Sequence, residues 1–262
     1  MKIKRILFYL REFFFPAGCA LCGVTLTSMD ETWYGLCGSC RNDMLLCGGE
    51  EESCDLCGRP LISEKGRCLS CRNGEDRHFD RVITLYPYTG KYRKLLAAYK
   101  FNKNLAVGCF LAERIRESVR RLNITEDFVM VPVPPRPGKI RKTGWDQIEY
   151  LAKLLARGQA KEGKKFYVAV NNFRSKKHIA TSAENIRVSR CLKRLPSISQ
   201  KKLNREDRRK NLKGRILLTR TPPKTAIVFD DVITTGSTLD ACAAVLKAGG
   251  AEKVYGICLF YD

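Results

Sequence analysis

The sequence predicts an α/β protein in which a parallel sheet flanked by helices follows a small cysteine-rich domain. Two observations support this organisation. Eight of the thirteen cysteines lie in four Cys-x-x-Cys pairs before residue 72, whereas apolar runs alternate with helical patterns from Asp80 onward. The chain has 262 residues, which is enough to bury a substantial core. We expect the two domains to span residues 1–76 and 77–262.

The N-terminal segment predicts a short amphipathic helix rather than an export signal. Its apolar residues recur at helical spacing: Ile6, Leu7, Leu10, Phe13 and Phe14. Arg11 and Glu12 interrupt the apolar run, and no stretch of the sequence is long and apolar enough to cross a bilayer. We therefore expect a cytoplasmic protein whose helix packs against its body. Attachment to the inner membrane surface is the alternative.

The four Cys-x-x-Cys pairs predict two structural zinc sites. Two cysteines separated by two residues form a knuckle around one ion, and a second knuckle completes a tetrahedron of thiolates. Disulfides are the alternative, but no export signal favours an oxidising compartment. The simplest assignment pairs the knuckles in chain order, although the sequence also permits a crossed arrangement. In chain order, one site contains Cys19, Cys22, Cys37 and Cys40, and the other contains Cys54, Cys57, Cys68 and Cys71.

The region after Asp80 alternates predicted strands with predicted helices. The apolar runs that predict strands are Val82–Tyr86, Phe128–Val133, Phe166–Val170, Ile216–Leu218, Ala226–Phe229 and Val254–Phe260. Helical patterns cover Tyr92–Leu122 (in one or two pieces), Trp145–Arg157 and Thr238–Lys247. This alternation is typical of a parallel sheet covered on both faces, in which ligands bind at the carboxyl ends of the strands. The residues after Ala226–Phe229 should therefore lie at the functional edge.

Two adjacent carboxylates, Asp230 and Asp231, follow that strand and precede a loop rich in threonine. The loop leads into a helix, so its backbone amides and hydroxyls converge near the positive end of the helix dipole, as in a phosphate-binding site. The pattern is not a Walker loop, because no Gly-Lys-Ser/Thr is present. Carboxylates about one ribose away from a bound phosphate would accept hydrogen bonds from sugar hydroxyls. A plain helix cap at Ser237 behind an acidic turn is the alternative without a ligand.

These residues carry a resemblance to a known family. The string VFDDVITTGST, residues 228–238, resembles the phosphoribosyl pyrophosphate (PRPP) motif of type I phosphoribosyltransferases. The whole layout resembles the ComF (ComFC) family of late-competence proteins, which join an N-terminal double zinc ribbon to a C-terminal phosphoribosyltransferase domain. The implied fold is a type I phosphoribosyltransferase-like parallel sheet. The match extends over nearly the full chain, and its weaker motifs occur in the family's order: Leu95-Leu96…Tyr99-Lys100-Phe101, Val131–Pro134, Gly144–Gln147 and Gln200-x-x-Leu203…Arg208-x-x-Asn211.

The resemblance implies roles for the PRPP motif, for the basic loop after Val133 and for Lys100. Asp230 and Asp231 would be the catalytic carboxylates, which bind the ribose hydroxyls and stabilise the cationic ribosyl that forms as pyrophosphate leaves. Magnesium would be held mainly by PRPP oxygens. The implied reaction is phosphoribosyl transfer to a nitrogen nucleophile that the sequence does not identify. The PRPP-binding residues would be Thr234, Thr235, Gly236, Ser237 and Thr238 at the 5-phosphate, Arg136, Lys139, Arg141 and Lys142 at the pyrophosphate, and Lys100.

Two departures from the family pattern bear on turnover. Where the family commonly has Arg-Gly-Phe-Asn-Gln, this chain has Thr143-Gly144-Trp145-Asp146-Gln147. An arginine is also expected five residues before Gln200, where Leu195 stands, with Lys193 and Arg194 just upstream. Because fewer cations near the pyrophosphate would hold it less firmly, PRPP binding is better supported than PRPP turnover.

The strong positive charge of the chain favours polyanionic partners. Lysine and arginine exceed aspartate and glutamate by 48 to 27, a formal charge of +21. The segment from Arg174 to Arg215 holds 15 of these cations against three acids. Its position matches the mobile lid of phosphoribosyltransferases, and a track for single-stranded DNA is the alternative. The resemblance implies a part in DNA uptake or recombination, with a competence helicase or recombination proteins as partners. A non-enzymatic adaptor or single-stranded DNA-binding protein with a PRPP-sensing pocket is the alternative function.

Overall fold

The computed structural model describes residues 14–46, 52–74, 77–157, 186–196 and 214–262. Several predictions fall outside these residues: most of the N-terminal helix, the strand Phe166–Val170, and the motif from Gln200 to Asn211. Most of the basic segment also lies outside them, as does the point between residues 74 and 77 where the domain boundary is predicted.

The described residues contain eight helices and seven strands. In the cysteine-rich part, the helices are α1 (Met29–Tyr34), α2 (Gly38–Leu46) and α3 (Leu69–Arg72). In the remaining part, the helices are α4 (Gly90–Lys100), α5 (Leu105–Arg121), α6 (Lys139–Thr143), α7 (Gln147–Arg157) and α8 (Ser237–Ala248). The strands are β1 (Arg81–Pro87), β2 (Val129–Pro132), β3 (Arg187–Val188), β4 (Leu192–Arg194), β5 (Ile216–Leu218), β6 (Thr225–Ile233) and β7 (Lys253–Tyr261).

The predicted parallel sheet is confirmed. Five strands pair in the order β1-β7-β6-β2-β3, and every pairing between neighbours is parallel. One predicted strand, Ile216–Leu218, lies elsewhere, since it forms an antiparallel pair with β4. Ile216 is buried but Leu217 is 43% exposed. A strand with one solvent-exposed face suits an antiparallel pair better than a parallel sheet that helices cover on both faces.

The central strands β6 and β7 separate two layers of helices. On one face of β6, Ile227 and Phe229 pack in a core shared with α5 and α7. On the other face, Ala226 and Val228 pack in a second core with α8. This alternation of neighbouring residues between two buried faces explains why β6 is apolar at nearly every position before its aspartates.

Strand β6 is longer than predicted, which changes the setting of the two aspartates. The sequence places them in a loop after Phe229, but backbone pairing with β7 continues through Asp230 to Ile233. Asp230 and Asp231 therefore lie within a strand, and the rigid sheet fixes their backbone.

The predicted helical stretch Tyr92–Leu122 forms two helices. The helical conformation is interrupted between Lys100 and Leu105, where Lys103 has a φ of 53°. The Asn104 side chain caps α5 by accepting from the Val107 amide at 3.2 Å. This interruption places Lys100 at the C-terminal end of α4.

Candidate functional site

The cysteine sulfurs form two groups of four, each drawn from two consecutive Cys-x-x-Cys pairs. Cys19, Cys22, Cys37 and Cys40 form the first group, and Cys54, Cys57, Cys68 and Cys71 form the second. All the ligand atoms within a group lie within 4.8 Å of one another, with a Cys22–Cys37 Sγ distance of 3.7 Å and a Cys57–Cys68 Sγ distance of 3.8 Å. A tetrahedron with zinc–sulfur bonds of about 2.3 Å has edges of about 3.8 Å. The geometry therefore fits two structural zinc ions, and neither group leaves a protein ligand position open for a substrate.

Each site contains a thiol that the backbone prepares for metal binding. Burial opposes ionisation of Cys19 and Cys54, but hydrogen bonds from backbone N–H groups of the two knuckles lower the pKa of each thiol to about 7. Gly23 and Gly58 complete these turns with φ values of 79° and 70°. Gly38, which follows Cys37, differs from these two glycines, since it begins α2 and donates its amide to Glu31 at 2.8 Å.

Metal analysis of the purified protein should find about two zinc ions per chain, because each group offers a complete set of four thiolates. Replacing Cys54 and Cys57 together by serine should lower the count to about one. Replacing Cys191 and Cys242, which are buried in the other part of the chain, should leave it unchanged. A native protein with one zinc ion would contradict the assignment.

The second zinc site, formed by Cys54, Cys57, Cys68 and Cys71, is attached to the edge of the sheet. The Leu56 carbonyl accepts a hydrogen bond from the Val82 amide at 2.8 Å, and the Gly58 carbonyl accepts from Thr84 Oγ1 at 2.5 Å. Both contacts connect the knuckle around Cys57 to β1. The second site is therefore fixed relative to the sheet that carries Asp230 and Asp231.

A cavity of about 550 Å³ opens at the carboxyl ends of β2 and β6. It brings together residues from α4, α6, β6 and the loop that enters α8. Of the predicted site residues, those lining it are Lys100, Arg136, Lys139, Asp230, Asp231, Thr234, Thr235, Gly236, Ser237 and Thr238. Arg141 and Lys142 do not line this cavity. They lie on the exposed side of α6, where Arg141 borders a neighbouring groove.

Asp231 lies at the centre of a polar network in this cavity. The ammonium of Lys100 pairs with Asp231 Oδ2, and Gln147 Nε2 donates to the same oxygen at 2.9 Å. Gln147 is itself held by Lys139 Nζ, which donates to its side-chain oxygen at 2.6 Å, and by the Tyr99 hydroxyl, which donates to its backbone oxygen at 2.5 Å. Lys139 and Gln147 thus connect the carboxylate pair to the basic side of the cavity.

The two aspartates differ in their electrostatic environment. Burial and the neighbouring charge of Asp231 raise the pKa of Asp230 well above its ordinary value. Burial would also raise the pKa of Asp231, but the ammonium of Lys100 overcomes it and holds the pKa of Asp231 below its ordinary value. Asp231 is therefore the more readily ionised carboxylate, and a cationic group in the cavity would favour ionisation of both.

The loop before α8 has the geometry of an anion-binding site. Gly236 is the N-cap of this 12-residue helix and has a φ of 75°, which favours glycine. The hydroxyls of Thr235 and Ser237 lie 2.7 Å apart at the N-terminus of α8. The first-turn amides of α8 have no carbonyl partners within the helix, so they and these hydroxyls can donate to a phosphate.

The polar residues that line the cavity include Asp146, Gln147 and Arg194, to which sequence reasoning gave no role. Asp146 pairs with Lys139 at 2.6 Å, and its other oxygen caps α7 by accepting from Ile148 and Glu149 at 3.0 Å. Arg194 comes from β4, where burial alternates so that Lys193 is exposed and Arg194 is buried. The signal for Arg194 was its place next to Leu195, the position where the family has an arginine.

Comparison with known proteins confirms the predicted resemblance to the competence proteins and to a double zinc ribbon. A family model described as "Double zinc ribbon domain" matches residues 10–72. "Competence protein F" of Haemophilus influenzae is 25% identical over 231 residues, covering 84% of this chain and 87% of that protein. "Competence protein ComFC" of Streptococcus pneumoniae is 22% identical over 90% of this chain and 96% of its own length. "DNA utilization protein YhgH" of Escherichia coli K12 is 25% identical over 93% and 96%. Among the described residues, no helix has the length and apolar character needed to cross a membrane.

Proposed function

On the premise that this chain is a homologue of the ComF and ComFC competence proteins along most of its length, we propose that it binds PRPP and transfers its phosphoribosyl group, with release of pyrophosphate, in DNA uptake or recombination. One observation carries the proposal. The carboxylates of Asp230 and Asp231, the loop of residues 234–238 and the cations Lys100, Arg136, Lys139 and Arg194 all line the same cavity.

The cavity offers a complementary group for each part of PRPP. The 5-phosphate would accept hydrogen bonds from the amides and hydroxyls of residues 234–238. The ribose hydroxyls would donate to Asp230 and Asp231, and the pyrophosphate would face Arg136 and Lys139. Magnesium, bound mainly through PRPP oxygens, would supply charge neutralisation at the pyrophosphate.

The aspartates would act most strongly in the transition state. As the bond to pyrophosphate lengthens, positive charge develops on the ribosyl group, and fixed carboxylates nearby stabilise that charge. Lys100 balances the charge of Asp231, and Gln147 donates to the Asp231 carboxylate and keeps it oriented. The rigidity of β6 contributes here because these groups need no reorganisation during reaction.

Calorimetry with PRPP and magnesium tests the proposal. The native protein should release heat on binding, and Asp230→Asn combined with Asp231→Asn should weaken binding by roughly a hundredfold, since two charged acceptors are lost. Asp240→Asn is the matched control, because Asp240 lies on α8 but faces His78 rather than the cavity. No heat from the native protein, or equal heat from the double variant, would refute the proposal.

The alternative is a non-enzymatic adaptor or single-stranded DNA-binding protein whose pocket only senses PRPP. It is favoured by Thr143 and Leu195, which stand where the family has arginines. Arg194, buried beside the cavity, supports turnover because it supplies a cation close to one of those positions. Pyrophosphate release, measured across a panel of amines and nucleobases, distinguishes the two. PRPP binding without pyrophosphate release in the presence of any tested acceptor would favour the sensor.

A further inference from the structure

A second, smaller cavity of about 200 Å³ lies behind the loop that faces the candidate active site. One wall of this rear cavity is formed by Cys57, Cys68 and Cys71 of the second zinc site. The opposite wall is the segment from Ile233 to Gly236, which also lines the larger cavity. A single segment of backbone thus separates the second zinc site from the proposed PRPP site.

Two arginines connect these walls. Arg59, two residues after Cys57, donates from one guanidinium nitrogen to the backbone oxygens of Thr234 at 3.5 Å and Asp262 at 3.2 Å. Arg77 donates to the Thr235 carbonyl at 3.2 Å. The knuckle in turn fixes Arg59, because the Arg59 carbonyl accepts from the Cys54 amide at 2.8 Å. Both arginines line the rear cavity, so they hold the loop from the side opposite to the larger cavity.

The geometry of the peptide bond transmits this support across the loop. In a trans peptide, the carbonyl of one residue and the N–H of the next point in opposite directions. The described residues contain no cis peptide. A Thr234 carbonyl held by Arg59 therefore directs the Thr235 N–H toward the larger cavity, and a Thr235 carbonyl held by Arg77 does the same for the Gly236 N–H.

We infer that Arg59 and Arg77 are positioning residues that orient the amides of Thr235 and Gly236 toward an anionic group, so that the second zinc ribbon forms part of the PRPP site. The inference rests on the proposed function for the identity of the anion. It assigns the second ribbon a task beyond stability, since an amide oriented before binding costs less to order when the phosphate arrives.

The test compares arginines near the second zinc site that differ in what they contact. Arg59→Met combined with Arg77→Met removes both supports of the loop. Arg72→Met is the matched control: Arg72 follows the ligand Cys71, but it donates to the carbonyls of Arg67 and Lys65, at 2.7 and 3.0 Å, within the ribbon. Zinc content is measured for each variant and should stay at the native value.

Two readouts follow the loop and the ligand separately. Hydrogen exchange of the peptide covering residues 233–238 should be faster in the double variant and native-like in Arg72→Met. Calorimetry should show roughly tenfold weaker PRPP binding in the double variant only. Arg59→Lys combined with Arg77→Lys should restore most of the affinity, because an ammonium can donate to the same backbone oxygens. If the two arginines only packed against the loop, the lysine variant would bind PRPP no better than the methionine variant.

Native exchange in the loop of the double variant would overturn the inference, and so would an equal effect of Arg72→Met. If the native protein fails to bind PRPP, the proposed function fails, but the exchange measurement still decides whether the two arginines position the loop.

Discussion

Gly58→Ala should destabilise the protein by about 3–4 kcal/mol, because the new methyl group would clash with the backbone of β1. The left-handed φ of Gly58 would also strain an alanine. A Cβ at Gly58 would lie 2.4 Å from the Val82 carbonyl oxygen and 3.1 Å from the Thr84 amide nitrogen. Neither atom can move without displacing β1. We expect the variant to lose the contact between the second zinc ribbon and the sheet, and urea unfolding measures the loss.

Gly23→Ala is the control for backbone strain alone. Gly23 occupies the equivalent turn of the first ribbon with a φ of 79°, but a Cβ there has no neighbour within 4 Å. The strain of a left-handed alanine should cost about 1 kcal/mol. Equal costs for the two variants would show that docking on β1 contributes little to stability.

Lys100→Met should destabilise the protein by about 2–3 kcal/mol at neutral pH, less than for a fully buried pair because the cavity admits water. The substitution removes the cation beside two adjacent carboxylates. Lys247→Met is the control: Lys247 has the same side-chain exposure as Lys100, 29%, but its partner Asp80 is 42% exposed whereas Asp231 is 9% exposed. That more exposed pair should contribute less than about 1 kcal/mol.

The sign of the pH dependence of stability follows from the direction in which the fold shifts the pKa of Asp231. In the native protein this pKa lies below its unfolded value, so the ionised carboxylate stabilises the fold above the unfolded pKa of about 3.9, and the contribution is lost as the pH falls through the folded pKa. Without Lys100, burial would raise the pKa of Asp231, and folding would take up a proton. The cost of Lys100→Met should therefore shrink between pH 8 and pH 6. A cost that grows over this interval would contradict the assigned role of Lys100.

Much of the fold could be predicted because its signals are local. Apolar runs identified β1, β2, β6 and β7, and the spacing of the cysteines identified two metal sites. The partner of Ile216–Leu218 was not predictable, since a run of three apolar residues does not indicate which sheet it joins. The predicted boundary between residues 76 and 77 stays a prediction.

The residues of the candidate site that belong to one contiguous motif could be predicted from the sequence. The contacts between segments far apart in the sequence could not. Residues 230–238 are contiguous and share one cavity. The pairing of Lys100 with Asp231 joins segments 131 residues apart, so no local pattern could reveal that this carboxylate has a cation beside it. The contacts of Arg59 and Arg77 with the loop were hidden for the same reason.

The order of strands in the sheet has a consequence for how the chain is made. β1 is an edge strand whose neighbour in the described sheet is β7, and Arg81 pairs with Tyr255. At translation rates of about 5–20 residues per second, β1 would wait roughly ten to thirty seconds for that partner. A metal-loaded second ribbon could cover the other edge of β1 well before then, through Leu56 and Gly58. The supply of zinc during synthesis should therefore influence the yield of folded chains.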